Sequence, residues 1–162
     1  MQGVLRMNTR YDMGDGLYLE FSEAVAETFQ RYRQRHSANE AGGILMGRVY
    51  PGSHVVVEVA TTPGHLDYAG PYFFNRSRRA AQEIVNRAWR ESGGAQNYLG
   101  EWHSHPVPRP TPSGRDRQMI RNMIRESILG VNFLILVVVG VGENWVGLET
   151  GSALKLLKPT KA

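Results

Sequence analysis

Pro106, Pro108, Pro110 and Pro112 fall at every second position, and nothing else in the chain restricts its fold so tightly. Proline fixes φ near the extended region and lacks a backbone N–H, so this run forbids a helix and stiffens an extended loop. Whatever precedes must end at the loop, and whatever follows must start after it. Tyr98 to His105 reads as a strand leading in, and Ser113 reads as the N-cap of a helix running to about Glu126. A stiff connector therefore holds the last side chains of a strand in a set relation to the first turn of a helix.

The rest of the pattern supplies a sheet for that strand to join. An amphipathic helix is expected over residues 22 to 37, opened by Ser22 with Val25, Phe29 and Tyr32 at helical spacing. Gly42-Gly43-Ile44-Leu45-Met46-Gly47 leads into an apolar strand, and Pro51-Gly52 turns it into a second strand, Val55 to Val59. Thr61 to Tyr72 is rich in Gly, Pro and aromatics and reads as an irregular surface crossing. A helix over about 77 to 91 is expected to bury Ala81, Ile84, Val85, Ala88 and Trp89, with Gly93-Gly94 ending it. Val131 to Val139 has the β-branched, apolar character of a central strand covered on both faces. Trp145 to Leu148 and Leu154 to Leu157 add candidate edge strands. The order predicts an α/β fold, a mixed β-sheet flanked by helices, in a single domain over 1–162 that ends in a short basic tail from about residue 158.

Composition narrows the chemistry. The chain has 162 residues and no cysteine, which removes disulfides, thiolate ligands and thiol nucleophiles together. Any metal must be held by His and carboxylate. No segment has the pattern of a secretory signal or the length of a membrane span, so a cytoplasmic protein with no membrane partner is expected. The net charge of +4 is spread along the chain, which argues against nucleic acid as a partner. Arg31, Arg33, Arg35, Arg76, Arg78 and Arg79 read as solvated positions on or beside helices.

Strand alternation puts His103 and His105 on one side, with Ser104 pointing away. The proline loop returns the chain so that Asp116, in the first helical turn, can supply an oxygen. Two imidazoles and a carboxylate leave a fourth zinc position for water, which distinguishes catalytic from structural sites. Such a water needs a carboxylate base within hydrogen-bond reach. Glu101 shares the face of His103, two residues away, and Glu40 lies beside the small residues Gly42-Gly43. Residue physics leaves both open.

Glu40, then His103-Ser104-His105-Pro106, six residues, Ser113, two residues and Asp116 together resemble the JAMM motif of the JAB/MPN zinc metallopeptidases. The helix before Glu40, the Gly-Gly-Ile-Leu-Met-Gly strand and the apolar strand after the motif extend the resemblance over most of the chain. Gly100-Glu101-Trp102-His103-Ser104-His105-Pro106 looks like the bacterial branch found beside ubiquitin-like conjugation genes, including antiphage CBASS operons. The resemblance implies the cytidine-deaminase-like MPN/JAB architecture, with His103, His105 and Asp116 as Zn2+ ligands. It further implies Glu40 as general base and Ser113 as hydrogen-bond donor to the oxyanion, which leaves Glu101, on the face of His103, as a candidate orienter of a ligand His. The implied activity is hydrolysis of an isopeptide or peptide bond after the C-terminal residue of a ubiquitin-like protein. Implied partners are that protein or its conjugates, and a conjugation enzyme or nucleotidyltransferase encoded nearby. Residues 61 to 75 and the proline loop are the expected substrate contacts. The insertions that give eukaryotic members linkage choice are short or missing.

The alternative is a non-catalytic MPN scaffold that pairs with a partner, although such relatives usually lack a motif residue and here none is lacking. Zinc nucleobase deaminases require Pro-Cys-x-x-Cys, which a chain without cysteine excludes.

Overall fold

The structure is a computed structural model that describes residues 9–33, 39–64, 66–70, 73–127 and 129–160. In chain order the elements are β1 (Arg10–Gly14), β2 (Leu17–Phe21), α1 (Glu23–Arg31), β3 (Gly42–Tyr50), β4 (His54–Ala60), β5 (Tyr68–Gly70), β6 (Phe73–Asn75) and α2 (Arg78–Glu91). They continue with β7 (Asn97–Ser104), α3 (Gly114–Glu126), β8 (Leu134–Val139), β9 (Asn144–Glu149), β10 (Leu154–Leu156) and β11 (Lys158–Thr160). Nine strands form one mixed sheet in the order β10-β9-β8-β7-β3-β4-β2-β1-β11, and β5 and β6 pair separately. The β2/β4 and β7/β8 pairs are parallel and the other pairs of the large sheet antiparallel.

Helices cover both faces, as the element order predicts. Val25 and Phe29 of α1 pack with Leu45, Trp102, Ile135, Val137 and Val139 on one face. On the other, Ile120 of α3 meets Leu134, Leu136 and Val138, while Ala81 of α2 meets Ile44 and Met46. The continuous apolar run of β8 follows directly: alternate residues serve opposite layers, and all six are buried. Each such side chain contributes about 1.5 to 3 kcal/mol of burial free energy.

Several expectations are corrected. The helix expected over 22 to 37 ends at Arg31, because Tyr32 and Arg33 leave the helical path, and Arg35 lies outside the described residues. On α2 only Ala81 is buried; Ile84 and Trp89 are 38% and 54% exposed. The helix sits on the sheet through Ala81, with Val85 and Ala88 partly buried against the same cluster, and Ile84 and Trp89 lie off that contact. Residues 158–160, read as the start of a basic tail, instead form β11 and pair with β1 at the sheet edge. Residues 10–21 form a hairpin, β1 to β2, that the sequence reading left unplaced. Its turn holds Gly14, Asp15 and Gly16 at positive φ, where glycine is tolerated at no steric cost.

Tight backbone contacts at the centre of the sheet bring the site's elements together. A Cβ on Gly43 would lie 2.2 Å from the Thr61 carbonyl oxygen, and one on Gly100 would lie 1.9 Å from that of Ile135. Gly43 therefore lets the end of β3 close on residue 61, and Gly100 lets β7 close on β8.

Candidate metal centre

The site lies where β7 ends. His103 is paired with Gly42 on one side and Val138 on the other, so its backbone is held from both flanks. His105 is one residue past the strand, but its N–H donates to the Val139 carbonyl at 2.9 Å and prolongs the ladder. The two imidazoles thus stay on one side, with ring centroids 5.0 Å apart.

The proline loop is fixed by the β8–β9 turn. Val141 N–H donates to Val107 O at 2.8 Å, and Gly142 and Glu143 both donate to Pro108 O. From there the chain enters α3 through a capping box: Ser113 Oγ accepts from Asp116 N–H at 3.1 Å, and Asp116 Oδ2 accepts from Ser113 N–H at 2.8 Å. The box orients the carboxylate toward the strand end. Asp116 Oδ1 lies 3.0 Å from His103 Nε2, and Oδ2 lies 3.2 Å from His105 Nε2.

The third segment is Glu40. Ala41 donates its N–H to Ser104 Oγ and receives the Ser104 N–H on its carbonyl, both at 2.9 Å, while Glu40 N–H donates to Gly70 O at 2.7 Å. The two Ala41–Ser104 bonds carry the β3–β7 pairing one rung past Gly42 and His103. Glu40, buried, comes to rest with Oε1 3.6 Å from His105 Nε2.

Electrostatics divide the two carboxylates. Burial pushes the Glu40 carboxyl above its ordinary range, against the pull of His105 and His103. Burial acts the same way on Asp116, but the imidazoles beside it and the Ser113 N–H outweigh it and hold that carboxyl well below its ordinary range. His105 loses protons more readily through burial, yet Asp116 and Glu40 reverse this and raise it overall. Asp116 is thus held as an anion, whereas burial makes Glu40 the easier of the two carboxylates to protonate.

One atom tests whether this is a metal site or only an ion-pair cluster. His103 Nε2 is buried and, although 3.0 Å from Asp116 Oδ1, makes no hydrogen bond among the described residues. A buried nitrogen left so costs about 1 to 3 kcal/mol. Ligand atoms of His103, His105 and Asp116 all lie within 4.8 Å of one another, and two imidazoles with a carboxylate form a donor set suited to a divalent metal ion. The orphan nitrogen is what such an ion would satisfy.

Of the residues singled out in the sequence, His103, His105, Asp116, Ser113 and Glu40 converge, while Glu101 has other work. Its two oxygens bond Arg76 Nε at 2.6 Å and Nη2 at 3.0 Å, and accept the Tyr98 hydroxyl. Glu101 shares the face of His103 as expected, but its partners are a guanidinium and a phenol rather than an imidazole. Arg76, read as solvated, is instead partly buried in this pair; Arg78 and Arg79 are exposed as expected. Two residues the sequence reading missed matter here: Ser104, set aside as facing away, and Gly70. Residues 65, 71 and 72, within the expected substrate segment, lie outside the described residues.

Fold and site together define a mixed α/β domain whose His, His and Asp side chains suit a metal ion at one end of its sheet. Residues 22–149 match the family of prokaryotic homologs of the JAB domain, and the chain belongs to that family. A Pseudomonas aeruginosa protein named CD-NTase/cGAS isopeptidase is 41% identical over 100 residues, 61% of this chain and 63% of that protein. A Vibrio cholerae protein of the same name is 31% identical over 147 residues, 91% of each chain. The solution structure of a Desulfitobacterium hafniense protein superposes with a TM-score of 0.60 at 22% identity, covering 85% of this chain and 88% of that one, which places the fold. No helix among the described residues is long and apolar enough to cross a membrane.

Proposed function

We propose that this chain is a zinc-dependent isopeptidase that hydrolyses the bond after the C-terminal residue of a ubiquitin-like protein. In this reading the protein it frees is a CD-NTase-type nucleotidyltransferase, and the reaction takes place in the bacterial cytoplasm as part of antiphage defence. The observation that carries the reading is the burial of Glu40 beside the His103, His105 and Asp116 cluster, 3.6 Å from His105. The name shared by the Pseudomonas and Vibrio relatives supports the bond and the partner.

His103, His105 and Asp116 would hold the ion. Zinc, when bound, supplies a Lewis acid that polarises the scissile carbonyl and makes water acidic enough to react near neutral pH. Glu40 accepts the proton that water loses as it adds to the carbonyl carbon. It returns that proton to the departing lysine nitrogen as the C–N bond breaks, so the carboxylate is regenerated. A carboxyl raised by burial suits both halves of the transfer. Ser113 Oγ already accepts from Asp116 N–H, and a hydroxyl retains its own O–H, which is available to the carbonyl oxygen as that oxygen becomes negative.

The test is cleavage of a panel of ubiquitin-like proteins joined through their C-termini to a lysine of a CD-NTase-type nucleotidyltransferase, with zinc present. Wild type is expected to release both proteins intact, and Glu40→Ala to bind zinc normally and release neither. Equal cleavage by the variant would overturn the mechanism. A wild-type chain that purifies with no metal and takes up none would favour the scaffold reading instead.

A further inference from the structure

We infer that Ser104, the residue between the two metal-site histidines, is the positioning residue for Glu40 through the backbone of Ala41. The inference rests on the proposed hydrolytic role of Glu40 for its kinetic consequence, and on geometry alone for its structural one.

Ser104 and Ala41 stand opposite each other one step past the end of the β3–β7 ladder. In an ordinary antiparallel rung of this type the two residues exchange N–H to C=O bonds in both directions. Here one direction is ordinary, Ser104 N–H to Ala41 O at 2.9 Å. The other is not: Ala41 N–H goes to Ser104 Oγ, also at 2.9 Å. A side chain completes the rung, so residue 41 is held by β7 without following the ladder onward. Glu40 is then free to leave the sheet direction, and its N–H is taken by Gly70 O at 2.7 Å. The two peptides flanking Glu40 are thus each fixed by an unrelated part of the fold, the preceding one by Gly70 and the following one by Ser104. That double anchorage sets the Glu40 carboxylate beside His105.

Alternation along β7 sends the Ser104 side chain to the face opposite His103, so it cannot serve the metal cluster directly. It is fully buried at 0% exposure, where an alanine would leave the Ala41 N–H without its acceptor. A serine between the ligands therefore lets one strand end place ligands on one face and the base on the next segment.

The experiment compares wild type, Ser104→Ala and Ser104→Thr as full chains with zinc. Three quantities are read: zinc stoichiometry, amide exchange at Ala41 by NMR, and turnover of an isopeptide-linked ubiquitin-like conjugate. Ser104→Ala is expected to bind zinc one to one, to exchange Ala41 N–H about tenfold to hundredfold faster, and to lose about tenfold to hundredfold in kcat with KM little changed. Ser104→Thr, which keeps the acceptor, restores both. If Ser104→Ala does not fold, Ser104→Cys, near in shape and a weak acceptor, is read in its place. Unchanged Ala41 exchange in the alanine variant overturns the inference, as does faster exchange with full kcat. If wild type cleaves no conjugate, the hydrolase reading falls, and the Ala41 exchange still decides whether Ser104 holds this segment.

Discussion

Asp116 caps the helix that Ser113 begins with the same carboxylate that faces the two imidazoles: Oδ2 accepts the Ser113 N–H at 2.8 Å and lies 3.2 Å from His105 Nε2. Helix capping and the proposed metal ligation would therefore be coupled through one side chain, and substitutions can separate them. Asp116→Asn keeps an acceptor for the Ser113 N–H and removes the charge. It is expected to lower the stability of the metal-free protein, because the folded state holds the Asp116 carboxyl well below its ordinary range, and to weaken zinc binding at least tenfold. Ser113→Ala should cost about 1 kcal/mol of unfolding free energy and leave zinc affinity nearly intact. Urea unfolding without metal and zinc titration by competition with a chelating dye check both. Equal losses of affinity in the two variants would deny the separation.

Metal should also stabilise the fold in proportion to its concentration. Zinc at one hundred times its dissociation constant is expected to add about 2.7 kcal/mol to the unfolding free energy. His103→Ala and His105→Ala should each abolish the increment, and a chelator should reverse it in wild type. Thermal melts at stepped zinc concentrations provide the measurement. A zinc-dependent shift that survives His103→Ala would show that the ion binds elsewhere.

The convergence of His103, His105 and Asp116 was legible because everything that sets it is local. Strand alternation fixes His103 against His105, and the proline loop with the Ser113 cap fixes Asp116. Glu40 was different. Residue spacing left it level with Glu101, and only the resemblance separated them, because its place depends on Ser104 and Gly70, 64 and 30 residues away along the chain. Glu101 shows the limit of alternation, which gives a face but not a partner. Its guanidinium comes from Arg76 on the segment entering α2, a tertiary choice with no local signature. The α2 stripe was legible in part: Ala81, Val85 and Ala88 meet the sheet while Ile84 and Trp89 do not, because only packing decides which part of a stripe is covered. The β1–β2 hairpin did carry a local signal, Gly14-Asp15-Gly16 between Arg10–Met13 and Leu17–Phe21, since a turn with successive positive φ values requires such residues.

The Arg76–Glu101 pair should be costly to break from either side. Side-chain exposure is 16% for Arg76 and 6% for Glu101, so water cannot replace the lost partner. Arg76→Met is expected to destabilise by about 3 to 5 kcal/mol, because it strands a buried carboxylate. Adding Glu101→Gln to Arg76→Met should recover part of that loss. Chemical denaturation of the two single variants and the double variant measures the coupling. Additive losses would mean that the pair contributes nothing as a pair.

Tyr98 gives the cluster a pH dependence at the alkaline end. Burial, then the negative charge and hydrogen bonding of Glu101, raise its phenol well above the ordinary value, and Arg76 only partly offsets them. An unfolded tyrosine ionises near pH 10. Below that pH both states are protonated and the contribution of Tyr98 is fully present. Above it the unfolded chain releases the proton while the folded chain retains it, so stability falls by about 1.4 kcal/mol per pH unit from this group until the folded phenol also ionises. Tyr98→Phe removes that contribution. It is expected to be less stable than wild type at pH 8, having left Glu101 one donor short, yet to lose stability more slowly between pH 10 and 11. Urea midpoints at stepped pH test the difference, and parallel slopes for the two proteins would assign the alkaline loss to other groups.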